Sequence, residues 1–237
     1  MHDTRVTVTE GVDFVLPASA RRDFLKMLGL AGVAVALPPF IVTACSSSNA
    51  TGPKSVTLDF STDFGVLNYA YALEQLEAAF YTQVIAKPYS GIPANEMLVL
   101  GDIKQHETLH RDFLKAALGT NAIGPLTVDF SAINFSDRAS VLAAAQAFED
   151  TGVSAYNGAA GHIKSATYLT LAGKIVSVEA RHASAIRDLL MPRTANFAGD
   201  DVVNPTTGLD ASNPPSTVLD SHHAGPFVKT PITVTNF

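Results

Sequence analysis

Six ionisable side chains, each in the middle of a helix-length apolar segment, constrain the fold of this chain more than any other feature of its sequence. Glu74 and Glu149 each precede a tyrosine by seven residues, Tyr81 and Tyr156. Glu107 and Glu179 each precede a histidine by three, His110 and His182. Seven residues are close to two helical turns, and residues three apart are neighbours on one helix face. Each pair therefore shares a face if its segment is helical. The order Glu-x6-Tyr then Glu-x-x-His occurs twice, with the glutamates 33 residues apart in the first copy and 30 in the second. Such near-equal spacing predicts two related helix pairs facing each other about a pseudo-twofold axis, with the carboxylates converging between them.

The surrounding segments agree with that reading. Apolar residues recur at three- and four-residue spacing over four stretches. The first covers about 62–86, with Ser61, Thr62 and Asp63 as candidate caps and Pro88 beyond it; the second covers about 94–118 and stops at Gly119. The third follows the good N-cap Ser136-Asp137 and runs to about 160; the fourth covers about 165–190 and is stopped by Pro192. In the fourth, Leu169, Ala172, Val176, Ile186 and Leu189 fall on one side. The connection over about 120–135 is the long one, and a bundle with one long crossover has the ferritin-like topology. The expected class is all-α: a four-helix bundle over 58–190 with one long crossover. Residues 191–237, rich in Pro, Thr, Asn and Asp, are expected to pack on it as an irregular C-terminal extension, with a short strand near 232–234.

Burying four carboxylates without counter-charge is prohibitive. Two divalent cations supply the compensation, and one Glu from each of two helices with a Glu-x-x-His from each of the others is the ligand set of carboxylate-bridged di-iron bundles. The runs Leu73-Glu74-Gln75-Leu76-Glu77-Ala78-Ala79-Phe80-Tyr81 and Val178-Glu179-Ala180-Arg181-His182-Ala183 resemble those of the ferritin-like superfamily, which includes bacterioferritin and rubrerythrin. They look closest to the extracytoplasmic ferritin-like proteins grouped with desiccation-related proteins. The resemblance implies a dimetal site, with Glu107 and Glu179 bridging or chelating, His110 and His182 each capping one metal, and Glu74 and Glu149 as terminal ligands. Iron is the preferred metal for a carboxylate-rich site with two imidazoles and no thiolate, and manganese fits equally on ligand type. Tyr81 and Tyr156 either donate hydrogen bonds to ligand carboxylates or fill an aromatic core. Glu77, three residues after Glu74 and on nearly the same face, either replaces or assists it, or is a helix-surface carboxylate.

The function this implies is ferroxidase- or peroxidase-like chemistry in stress protection. Two other readings compete. A bundle of this family can serve a non-enzymatic, structural role in desiccation or stress. His106-Glu107-Thr108-Leu109-His110 also matches H-E-x-x-H, the zinc-peptidase helix. That motif leaves Glu74, Glu149, Glu179 and His182 unexplained, and it places His106 about 100° around the helix from Glu107.

The N-terminus reads as an address. Arg21-Arg22 with Phe24-Leu25-Lys26, then an apolar stretch and Val42-Thr43-Ala44-Cys45, resembles a twin-arginine export signal ending in a lipobox. Ala20 stands where that signal usually has Ser or Thr, and Pro38-Pro39 interrupts the apolar run too early for a membrane span. Residues 1–44 are thus the expected signal peptide. Cys45 is the expected lipidated first residue, and 45–57 the expected tether. The expected location is the bacterial cell envelope, outside the cytoplasm, with the membrane as partner through the lipid. The net charge of −6 and the absence of a basic patch with interleaved aromatics exclude a nucleic-acid partner. Cys45 is the chain's single cysteine, so no intrachain disulfide forms. Replacing Cys45 with Ser should abolish incorporation of labelled palmitate and release the protein from the membrane fraction of an expressing bacterium.

Overall fold

In a computed structural model, which describes residues 55–237, the caps read from the sequence start the helices. Helix α1 (Asp63–Ala86) follows Thr62, whose hydroxyl accepts from the Gly65 amide at 3.2 Å. Helix α2 (Ala94–Leu118) begins after Pro93 and ends at Gly119, whose φ of 55° suits a residue without a Cβ. Helix α3 (Arg138–Ala159) follows Asp137, whose carboxylate accepts from Ser140 N at 3.0 Å. Helix α4 (Ala166–Leu190) follows Ser165 and stops two residues before Pro192. These side chains satisfy amide groups that a helix start leaves without intrahelical partners. The expected signal peptide, Cys45 and most of the expected tether lie outside the described residues.

Helices α1 and α2 pack as one hairpin and α3 and α4 as the other, with α1 also against α3 and α2 against α4. The two sides of the bundle differ. Most residues of α1 and over half of those of α3 are buried, whereas α2 and α4 bury only a stripe. The crossover and the C-terminal extension supply the cover. Val128 bridges Val228, and the Asp129 amide donates to the Phe227 carbonyl at 2.8 Å. Under that layer Phe80, Phe148 and Phe227 stack edge to face, with ring centroids 5.0 and 4.9 Å apart. The cover therefore adds a second apolar layer, largely hydrophobic burial, to one side of a bundle otherwise open to water.

Two strands close the ends of this cover. Strand β1 (Val56–Asp59) pairs in parallel with β2 (Ile232–Thr235), Val56 opposite Ile232. The first strand begins inside the segment read as tether, and the second lies where a short strand is expected. The Asp59 carbonyl occupies the space a Cβ at Gly65 would need, so the glycine lets β1 dock against α1. Between them lies a further short helix, α5 (Pro215–Val218). In α4 the buried stripe differs from the expected one: Leu169 is exposed, and Ile175 takes the core position. Among the described residues no helix is long and apolar enough to cross a membrane.

One side chain ties the extension to the bundle. Arg187 of α4 is 1% exposed. It grips Asp150 of α3 with Nε and Nη2 at 2.9 and 2.7 Å, and Asp201 of the extension with Nη1 and Nη2 at 3.1 and 2.7 Å. Asp150 and Asp201 keep access to water, so removing Arg187 takes away their ion pairs without leaving a fully buried charge unpaired. Arg187→Met should therefore cost about 1–2 kcal/mol in chemical denaturation. It should also make the chain beyond 195 the first site of limited proteolysis.

Candidate metal centre

Midway along the bundle, Glu74 enters from α1, Glu107 and His110 from α2, Glu149 from α3, and Glu179 and His182 from α4. All four carboxyl groups are fully buried, while the His110 and His182 side chains are 14% and 5% exposed. The donor atoms form two overlapping groups, each within 4.8 Å of one another: Glu74, Glu107, His110 and Glu179, and Glu107, Glu149, Glu179 and His182. Glu107 and Glu179 belong to both.

The closest approaches run between helices rather than within each Glu-x-x-His. His110 Nδ1 lies 2.7 Å from Glu179 Oε1 but 3.7 Å from Glu107 Oε2. His182 Nδ1 lies 2.8 Å from Glu107 Oε1 but 3.4 Å from Glu179 Oε2. These approaches lack hydrogen-bond alignment. Both Nδ1 atoms, both oxygens of Glu107 and Glu179, and Oε2 of Glu74 and Glu149 are buried without a hydrogen-bond partner. Buried polar atoms are nearly always paired, so a cluster of orphans converging on one space fits a cation that would pair them. Carboxylate oxygens with two imidazole nitrogens are donors for a divalent first-row metal.

Around this cluster the tyrosines bond crosswise. Tyr81 of α1 donates to Glu149 of α3, and Tyr156 of α3 donates to Glu74 of α1. Each hydroxyl thereby occupies one oxygen of a glutamate and leaves the other facing inward. His106, set about 100° around the helix from Glu107, is exposed, and its ring stacks on His182. The 2.9 Å contact between His106 Nδ1 and His182 Nε2 lets His182 donate outward and keep a lone pair on the inward Nδ1. His106 belongs to neither donor group, which argues against the peptidase reading of the helix. Glu77 is not a surface carboxylate: it is 3% exposed, inside the bundle.

The charges are strongly interdependent. Burial and the neighbouring Glu179 and Glu107 push Glu74 well above the usual carboxylate range. Burial raises Glu149 to about 8. Burial works against the charged form of Glu107 too, but the two histidines outweigh it and hold that carboxyl at about 2. Burial likewise opposes charge on the histidines, yet the surrounding carboxylates raise both His110 and His182 to about 12. Without metal, then, protons on both rings and on part of the carboxylates serve as counter-charge.

The profile of the ferritin-like domain family matches residues 62–192, more than half of the 237-residue chain. The chain belongs to the ferritin-like domain family. The match spans the four bundle helices and all six expected ligand residues. A comparison with curated proteins returned no match. Within the ferritin-like frame, spacing along each helix was enough to single out the converging glutamates and histidines. It did not show the crosswise pairing of tyrosines and histidines, because partners across a bundle depend on helix register. The burial of Glu77 had a weak signal in its position one turn from Glu74.

The pH dependence follows from these shifts. Glu149, raised from 4.5 to about 8, stabilises the fold below 4.5, and that contribution is lost as pH rises through 8. His110 and His182, raised from 6.5 to about 12, contribute fully below 6.5 and lose it as pH rises towards 12. Glu107 has the opposite sign, contributing above 4.5 and losing it as pH falls through about 2. The melting temperature of metal-free protein should therefore fall steadily from pH 5 to 7 to 9. Protein loaded with divalent metal should instead gain stability from pH 5 to 7, because metal competes with protons for the same atoms.

Proposed function

We propose that this cluster binds two divalent metal ions, iron in preference and manganese as the alternative, and that the protein uses them in redox chemistry with oxygen or peroxide. The observation that carries the reading is the overlap of two four-residue donor groups through Glu107 and Glu179. Two cations side by side offset four buried carboxylates, whereas one leaves half of that charge uncompensated. When bound, such a pair supplies the electrons for a two-electron reduction of the oxidant.

The chain's own residues set the conditions for that chemistry. Glu107 and Glu179 face both metal positions. Glu74 and His110 complete one position, and Glu149 and His182 the other. Tyr81 and Tyr156 hold Glu149 and Glu74 in orientation through their outer oxygens. The covered α1/α3 side excludes water, so small reactants approach between α2 and α4, where the partly exposed His110 and the exposed His106 lie. With an anchor at Cys45, a metal-dependent oxidant-scavenging or ferroxidase activity of this kind acts in the cell envelope, in keeping with stress protection.

Metal analysis of the purified protein after incubation with Fe(II) or Mn(II) tests the proposal. About two ions per chain are expected from this ligand set, and fewer than about one refutes it. Glu74→Ala should remove one ion, because Glu74 serves one donor group. Glu107→Ala should lose or severely weaken both, because Glu107 serves both. His106→Ala should retain both ions, an outcome a zinc-peptidase site does not allow.

A further inference from the structure

Next to one half of the metal centre the bundle core is not filled. Ala70 precedes Glu74 by four residues, Leu114 follows His110 by four, and Ile175 precedes Glu179 by four. Together with Tyr156, whose hydroxyl donates to Glu74, they line an apolar cavity of about 20 Å³. Four residues of helix rise about 6 Å, so this cavity lies one layer from Glu74, His110 and Glu179 of the first donor group. At the corresponding positions around the second group the repeat places Ala145, Ile186, Ile103 and Tyr81. Those four belong to the main core with Phe80 and Phe148, whereas the residues at the cavity form a smaller apolar cluster of their own.

The lining decides what this space can hold. Roughly 10–15 Å³ is enough for one water molecule, but a buried water also needs two to four polar partners. Tyr69 lines the cavity, is buried, and has a hydroxyl without a hydrogen-bond partner. The Tyr156 hydroxyl is already committed to Glu74. One free side-chain hydroxyl is too few to hold water, and hydrogen peroxide, with two O–H groups to satisfy, is served no better. A small apolar molecule gives up no hydrogen bonds there, and dry apolar cavities in proteins take up such guests. Towards α2 and α4 the lining residues Phe113, Ala117, Tyr168 and Ala172 are only half-buried, so the wall on that side is thin.

We infer that this cavity is a holding site for molecular oxygen, one layer from the Glu74/His110 half of the centre and walled by Ala70, Leu114, Tyr156 and Ile175. Its use in the reaction rests on the dimetal reading above. It makes O2 rather than peroxide the oxidant that the chain admits to its core. It also makes the two halves of the centre unequal, since the gas waits beside one of them.

Xenon, an apolar atom that enters such cavities, is the probe. Methyl NMR of the metal-free wild-type protein under xenon pressure should show saturable shifts at Ala70, Leu114 and Ile175. Their absence overturns the inference, and this readout needs neither metal nor a variant. Ala172→Phe fills the cavity from its thin wall and should abolish these shifts; if they persist, xenon is bound elsewhere and the inference falls. In protein loaded with Fe(II), A172F should lower the O2-driven oxidation rate severalfold relative to the peroxide-driven rate, with both ions still bound. A ratio equal to that of the wild type overturns the role in oxygen supply. A wild-type protein that fails to take up two Fe(II) ions refutes the dimetal reading itself, whereas the xenon result stands or falls without metal.

Discussion

Four glutamates buried at the centre of a helix bundle demand positive charge in the same place, and much of this structure can be understood from that demand. In the metal-free protein the counter-charge is protons on His110 and His182, held there by the carboxylates against the cost of burial. Such an arrangement is poorly satisfied. Nine buried side-chain polar atoms lack a hydrogen-bond partner among the described residues, and eight of them belong to the six clustered glutamates and histidines. A folded core tolerates few such atoms. Concentrating them in one space fits a site built for cations rather than for packing.

The bundle supports this strained centre unequally. On the α1/α3 side, the crossover and the C-terminal extension lay Phe130 and Phe227 over Phe148 of α3 as a second apolar layer. Arg187 pins the extension through Asp150 and Asp201. On the α2/α4 side, the helices bury a single stripe, and His106 and part of His110 reach the surface. The heavier packing thus stands behind the carboxylates, and the thinner wall stands on the side of the histidines. Rigidity and access are divided between the two faces.

The internal repeat is also broken where its breaking has chemical meaning. Glu77 has Gly152 as its counterpart, and His106 has Val178. The first difference adds a carboxylate on one side of the axis. The second gives His182 an outward partner that His110 does not have in its corresponding position. The two donor groups are related by the repeat but are not equivalent, and their surroundings on the α2/α4 side differ.

How much of this was legible in the sequence depends on how local the determinant is. The caps Thr62, Asp137 and Ser165, the stop at Gly119 and the helix-face partners Glu107/His110 and Glu179/His182 are set within a few residues, so helix ends and the converging donors could be read directly. Their number and order were enough to point to a ferritin-like bundle. The misplaced Leu169, the strand starting at Val56, the crosswise tyrosine bonds and the burial of Glu77 all depend on which helix or strand lies opposite. Helical periodicity states which residues share a face; it does not state what that face meets or in which register. The sequence by itself determined the helices and the six donors they carry. Only the tertiary structure decided that Glu107 and Glu179 are shared and that Gly152 makes room for Glu77, because both facts are distances between helices far apart along the chain.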